Sequence, residues 1–287
     1  MLLAGASFAL MGVLVKLGTQ WFSSHELVFY RSLVALALLL AVMTLRHGIG
    51  AGRHFFGEHT GLHLRRGLVG FLALATFFHA VAHLPLSLAI TLNYSSPLFL
   101  ALLMPWQLDE RPSRAQYATV AVGFLGVALL LRPWDSAPRD LVAGLIGLFS
   151  GVMAAFAYIH VRRLGRLGEP EWRTVFWFAA ISTLGAGLLA SLDGGWHVPA
   201  TGEHAGLLLG VGLLATLGQL AMTRAYRKGD TVVVAAFAYS TVVFGSILDV
   251  LIFNMEMPIT AWFGMLITVL AGVAASLRAT KLARNDL

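Results

Sequence analysis

The chain has 287 residues, of which 58% are hydrophobic and 12% charged, with a net charge of +6 and no cysteine. A soluble domain carries about 25% charged residues, so half that share, spread over apolar runs along the whole length, excludes an ordinary soluble protein and points to an integral membrane one. The lack of cysteine excludes disulfides, thiol nucleophiles and thiolate metal sites.

Ten apolar segments follow one another, at approximately residues 2–19, 24–45, 66–83, 85–106, 115–131, 141–161, 172–191, 204–224, 230–252 and 259–277. Each has the ~17–24 residues that cross a ~30 Å hydrocarbon layer at ~1.5 Å per residue. No basic residue precedes Leu2, which argues against a cleaved signal peptide and its positive leading region. Leu2 to Leu17 is slightly short for a span, so the start is expected to fall inside a longer natural helix. Several turns carry breakers: Pro85, Pro112, Pro133, Pro170, Pro199 and Pro258. The connections are too short for a separate soluble domain. The longest, Arg46 to Arg65, holds glycines and the histidines His47, His54, His59 and His63, and reads as a solvated loop.

The fourth segment is interrupted at its middle by Asn93-Tyr94-Ser95-Ser96-Pro97. Polar groups at that depth cost free energy unless they face protein or a wet cavity. Pro97 also removes a backbone donor, which frees the Asn93 carbonyl. A matching knot, Ala238-Tyr239-Ser240-Thr241-Val242, interrupts the ninth segment 145 residues later.

Basic residues predict the orientation, because cytoplasmic connections are rich in Lys and Arg. Alternate connections, with the tail, hold sixteen of them: Arg46, Arg53, Arg65 and Arg66, then Arg111 and Arg114, then Arg162, Arg163, Arg166 and Arg173, then Arg224, Arg227 and Lys228, then Arg278, Lys281 and Arg284. The opposite connections hold only Arg132 and Arg139, while Lys16 and Arg31 lie within segments. Both termini are therefore expected in the cytoplasm. The positive charge reflects topology, and nucleic acid is not an expected partner.

Internal similarity organises the chain further. Glu110-Arg111-Pro112 follows segment four and Gly126-Val127-Ala128 comes 16 residues after that Glu; Glu256-Met257-Pro258 follows segment nine and Gly272-Val273-Ala274 again comes 16 residues later. Phe29-Tyr30-Arg31 corresponds to Phe176-Trp177-Phe178. All offsets fall between 145 and 147, so residues 1–135 and 136–287 are expected to be two copies of a five-helix unit. Five is odd, so the second copy enters the membrane inverted. Inverted halves are the architecture of secondary transporters, whose two packings of similar energy open a midplane site to alternate sides.

Ten segments, two five-helix copies, an Arg after Phe29-Tyr30 and Glu-x-Pro after segments four and nine together resemble the drug/metabolite transporter superfamily, in particular its EamA-domain members. The resemblance covers nearly the whole chain. It implies an all-α integral membrane protein that carries a small organic metabolite across the bacterial inner membrane by alternating access through a central cavity. Amino acids, nucleotide precursors, vitamins, sugars and S-adenosylmethionine are the solutes it implies. One departure is that Arg31 meets Phe178, not a second arginine, at the equivalent position.

Tyr94 and Tyr239 are the leading cavity candidates, with Asn93, Ser95, Ser96, Ser240 and Thr241 around them, because a solute needs hydrogen-bonding groups in place of its water and aromatic faces for its apolar part. Packing of small hydroxyl residues between helices is the alternative. Arg31 either holds an anionic group of the solute, pairs with Glu26 or caps carbonyls of a neighbouring helix. Gln219, in mid-segment, and Trp177, beside Phe178, are further cavity candidates. His79 and His83 share a helix face at i, i+4 spacing and His79 is placed near the cavity, but no third metal ligand of matching spacing accompanies them. Lys16 is expected to snorkel to the interface. Asp249 is either at the interface or a carboxylate that takes up a coupling proton. Glu110 and Glu256 read as anchors of their turns, and Gly123, Gly126, Gly264 and Gly272 as close-packing positions, within the chain or at a dimer contact.

The expected partners are a small-molecule solute, the lipid bilayer, and either a coupling proton or a counter-solute; monomer and homodimer both remain open, and no cofactor is expected. A membrane-embedded enzyme is the competing class. No HExxH, GxSxG or GxxxxGK[ST] motif occurs in the sequence to support a metallohydrolase, a serine hydrolase or a P-loop ATPase. A channel or scaffold would have no need for matched polar knots.

Overall fold

A computed structural model describes residues 1–47, 55–96, 98–100, 102–103, 114–131, 138–193, 196–228, 237–256 and 258–285. In lipid a backbone must satisfy its own hydrogen bonds, which leaves helices or closed barrels. Helices α1 (Leu2–Gly18), α2 (Ser24–His47), α3 (Thr60–His83), α4 (Leu86–Asn93), α5 (Arg114–Leu131), α6 (Pro138–Arg166), α7 (Glu171–Leu192), α8 (Gly202–Lys228), α9 (Ser240–Phe253) and α10 (Ile259–Asn285) account for the architecture, with no strand among the described residues. Of these α2, α3, α6, α7 and α8 contain stretches long and apolar enough to cross a membrane; the apolar stretches described in the others are shorter. Pro97, Glu110, Pro112 and Pro133, on which parts of the repeat and turn reading rest, lie outside the described residues, as do residues 229–236 between α8 and α9.

Local sequence explains the helix ends. Ser23 and Glu26 form a reciprocal capping box at the start of α2: the Glu26 N–H donates to Ser23 Oγ (3.2 Å) and the Ser23 N–H to Glu26 Oε2 (2.7 Å). Pro85 precedes α4 and Pro170 precedes α7, each supplying a fixed φ where no backbone donor is needed. Asn254 ends α9 in the left-handed region, at φ 47°, a conformation its short polar side chain tolerates. Helix α3 begins at Thr60, six residues before the apolar window does, so the long connection after α2 is shorter than the sequence implied. Hydropathy missed that first turn and a half because its residues are polar on one side while still facing protein.

The helices pack in exchanged pairs. Helix α3 packs on α6 as α1 does on α8; α3 packs on α7 as α2 does on α8; and α4 packs on α6 as α1 does on α9. Helices α2 and α7 run antiparallel side by side. His25, in the first turn of α2, contacts Asp193 at the end of α7 (2.5 Å), while Met43, near the far end of α2, packs with Phe55, Trp172 and Phe176 around the start of α7. The two polar knots are seated alike. A Cβ on Gly151 of α6 would lie 2.8 Å from both the Leu92 carbonyl and Ser95 Oγ, and one on Gly5 of α1 would lie 2.5 Å from Ser240 Oγ. Each half thus offers a glycine face to the knot of the other. Gly126 of α5 sits against Gly264 and Thr268 of α10, so these glycines pack within the chain.

Leu27, Phe78, Leu86, Ile90, Leu92 and Leu98 are fully buried. Large apolar side chains also cover the outside: Leu184, Leu188 and Leu192 on α7 are 64–75% exposed, and Leu209, Leu213, Val243, Ile247, Phe263 and Leu266 continue the belt. A water-facing surface would not carry so contiguous an apolar patch, whereas one that faces lipid requires it.

Candidate functional site

Helix α4 stops at Asn93, and the chain turns through Tyr94 and Ser95 before helix resumes at Ser96. The turn is held by Ser95 itself, whose N–H and hydroxyl both reach the Leu92 carbonyl (3.3 and 2.6 Å). Beneath it opens a cavity of about 110 Å³. Its wall draws on both halves: Phe8, Arg31, Arg66, Asn93 and Tyr94 from the first, Tyr158, Phe178, Gln219 and Thr241 from the second.

Arg31, Asn93, Tyr94, Gln219 and Thr241 are therefore wall residues. Tyr94 accepts a hydrogen bond from Thr241 Oγ1 (3.0 Å), joining the knots directly. Asn93 Nδ2 donates to Ser150 Oγ (2.9 Å). Tyr239 is buried behind Tyr94 with ring centroids 6.4 Å apart, and its hydroxyl has no partner among the described residues. Ser95, Ser96 and Ser240 sit behind the wall: Ser95 holds the turn, Ser96 bonds the Tyr158 hydroxyl, and Ser240 Oγ donates to the Phe237 carbonyl (2.7 Å). Tyr158 also packs on Tyr226 (5.7 Å), which gives four clustered tyrosines in all.

Two expected wall residues are elsewhere. His79 stacks on His83 (4.3 Å) with the His83 ring bonded to the His79 carbonyl, away from the cavity. Trp177 Nε1 donates to the Phe55 carbonyl (2.9 Å), and its ring meets Phe56 edge-on. It pins the α2–α3 connection onto α7. Tyr30, in the matching place, reaches the His197 carbonyl (3.3 Å), while Trp196 packs on Phe29 (4.7 Å). Each aromatic pair thus clamps the connection that follows the other's helix.

The charged residues depart most from expectation. Arg31 does not pair with Glu26, whose carboxylate is taken by Ser23 and by the backbone and ring nitrogens of His197. Asp249 is fully buried within the protein: it accepts from the N–H groups of Leu86 (3.1 Å) and Ser87 (2.6 Å) and from Ser87 Oγ (2.6 Å), capping α4. Lys16 does not snorkel outward but donates to the Leu84 carbonyl (2.5 Å) near that carboxylate. His63 is fully buried, and His59 is only half-exposed. Both meet the buried Glu169, at 3.1 and 3.2 Å, as does Arg173 at 2.6 Å. Burial alone would raise the Glu169 pKa, but these bonds hold it below the ordinary carboxylate range. His47 and His54 lie outside the residues whose side chains are described. Glu256 is exposed, with no side-chain hydrogen bond among the described residues.

Arg66, counted from sequence among the loop cations, lies in α3, 3% exposed, on the cavity wall. It covers the Phe178 ring at 4.5 Å, and Arg31 meets the same ring at 5.3 Å. Gly70 makes room for it: a Cβ there would fall 2.1 Å from Arg66 Nη1. The signal was the stripe His63, Gly67, Gly70, Leu74 at helical spacing, which continues the buried face of α3 back past the apolar window. Tyr158 was legible in the same way, on the small-residue face Gly147, Gly151, Ala154 of α6.

The sequence matches the model of the EamA-like transporter family over residues 1–132 and again over 141–277. A pseudopaline exporter of Pseudomonas aeruginosa is 34% identical over 244 residues, covering 85% of this chain and 83% of its own. Riboflavin transporters of Rhizobium johnstonii (30% identical, covering 83% of this chain and 76% of its own) and Vibrio cholerae (25% identical, 100% and 94%) are similar over most of their lengths. A solved crystal structure aligns with a TM-score of 0.67 over 99% of this chain and 97% of its own, at 19% identity, a likeness of fold alone.

Proposed function

The chain belongs to the EamA-like transporter family and is a membrane-spanning small-molecule transporter, and we propose that it works by alternating access between two inverted halves, residues 1–135 and 136–287, without altering its solute. The observation that carries this is the exchanged packing. Equivalent helices α2 and α7 lie antiparallel, and the clamps made by Tyr30 and Trp177 fall at opposite ends of that pair. Two halves built alike and inverted have two packings of similar energy, each opening one end. The cavity between them, lined by Tyr94 and Thr241, is the solute site in this reading.

The distribution of basic residues supports cytoplasmic termini in the inner membrane. With Arg66 moved from loop to cavity the bias is fifteen to two, still strongly one-sided. On this orientation the Glu169 cluster is the cytoplasmic latch and the Glu26–His197 pair the opposite one. The relatives named for pseudopaline and riboflavin differ in cargo, so the solute is placed only as a small organic metabolite by kinship.

The test uses the Cys-free chain. Tyr94→Cys and Thr241→Cys variants, reconstituted in vesicles, are expected to react with a membrane-impermeant maleimide from either face, in proportions that shift with conditions. Labelling from one face only under every condition would refute alternating access.

A further inference from the structure

We propose that the solute is an organic anion whose carboxylate or phosphate is held between Arg31 and Arg66 beside Phe178. This rests on the carrier reading above and names the class of cargo for that same cavity. Both guanidiniums are at least nine-tenths buried and line the cavity. Arg31 Nε and Arg66 Nε and Nη1 have no hydrogen-bond partner, and neither arginine has a carboxylate partner, among the described residues. Buried charges are otherwise paired, and the buried carboxylates are engaged elsewhere: Glu26 by Ser23 and His197, Glu169 by His59, His63 and Arg173, Asp249 by the start of α4. Among the described residues no Asp or Glu lies on the cavity wall.

Two like charges share one apolar ring, with Gly70 shaped to admit one of them. A ring quadrupole attracts a cation but cannot substitute for a counter-ion. The wall around them is aromatic and hydroxylated, through Phe77, Tyr94 and Tyr158, which suits the organic body of a solute rather than a bare ion. Guanidinium forks match planar carboxylates and phosphates through paired N–H donors. An empty carrier with this arrangement is destabilised by its own charges, and the arriving anion supplies the missing counter-charge.

The experiment is a thermal-shift comparison on the purified full chain in nanodiscs. Probes are nicotinate, succinate, 4-hydroxyphenylacetate and glycerol 3-phosphate, each at millimolar concentration beside its neutral counterpart: nicotinamide, succinamide, 4-hydroxyphenylacetamide and glycerol. At least one acid is expected to raise Tm by several degrees while its neutral counterpart does not, and the carboxylate and phosphate arms separate the two oxyanions. Arg31→Gln and Arg66→Gln should each weaken that response at least tenfold. Arg66→Met, in the empty protein, should raise Tm, because it removes one of two unpaired charges; a guanidinium with a purely structural role would give a fall. Acids and neutral counterparts acting alike, silence across all the acids, or a lower Tm for Arg66→Met overturns the proposal. Vesicles that move a neutral solute undiminished by Arg31→Gln would sink the anion site and leave the carrier standing. An acid that binds through both arginines, with no flux of any solute, would do the reverse.

Discussion

Asp249→Asn tests whether this buried carboxylate is structural or a proton carrier. Asp249 Oδ2 accepts two donors from Ser87 and Oδ1 accepts one from Leu86, all at the first turn of α4. Asparagine has a single acceptor oxygen. If that oxygen keeps the two Ser87 donors, the amide nitrogen faces the Leu86 N–H and one buried donor goes unpaired. The two retained bonds also lose their charge assistance, and the positive end of α4 loses an anion. An unpaired buried donor costs about 1–3 kcal/mol and a charge-assisted bond is worth about 1.5–3, so the total is about 3 kcal/mol. At roughly 2–4 °C per kcal/mol for a chain of this size, Tm should fall by about 6–12 °C. Differential scanning fluorimetry of the purified protein, beside vesicle flux with and without a pH gradient, reads both effects. A variant within about 2 °C of the parent whose flux no longer responds to the gradient would refute the capping argument and make Asp249 the proton site.

Glu169→Gln should weaken the latch between α3 and the start of α7, since it removes the negative partner of Arg173 and two histidine contacts. A loss of about 2–4 kcal/mol is expected, read as a lower Tm and faster proteolysis at that face, and an unchanged Tm would show the cluster to be solvated. Because the folded pKa of Glu169 is depressed, its contribution is present above the ordinary carboxylate range and is lost only as pH falls through the lower folded value; parent and variant should therefore converge in Tm below that range, not near neutrality. Gly5→Ala and Gly151→Ala should each cost about 1–3 kcal/mol, because the new Cβ would overlap the opposite knot. Their Tm values should fall together; a loss in one with none in the other would contradict the matched seating of the two knots.

The helices were legible because a backbone in lipid must satisfy its own hydrogen bonds behind apolar side chains, and hydropathy records that need segment by segment. The exchanged packing was foreshadowed by the common offset of Tyr94 and Tyr239, since a duplicated segment keeps its polar interruptions only where they meet something. Individual partners were not legible. Asp249 and Asp193 look alike in sequence, yet one lies at the start of α4 and the other in contact with His25 on the exposed rim. What separates them is the neighbour on another helix, and 162 residues separate Asp249 from Ser87. Trp177 was misplaced for a related reason: its neighbour Phe178 faces the cavity, but one step along a helix turns a side chain by about 100°, enough to send it to a connection instead.

Arg66 shows how a statistical rule can hide a site. A cation within one turn of a predicted interface is ordinarily credited to the interface, which sets topology but assigns no chemistry. That credit was wrong here because α3 extends past its apolar window with its buried face intact. The departure noted at position 178 then acquires a physical reason. Phe178 supplies the ring against which both Arg31 and Arg66 lie, and an arginine there would have brought a third positive charge. At an effective dielectric of about 20, two charges no more than about 10 Å apart repel by at least about 1.7 kcal/mol, and a third within the same radius would roughly triple that. On the proposed reading of inverted halves, the helices stay equivalent while the proposed solute site is one-sided, and the difference between the copies falls where a second copy of the charge would cost most.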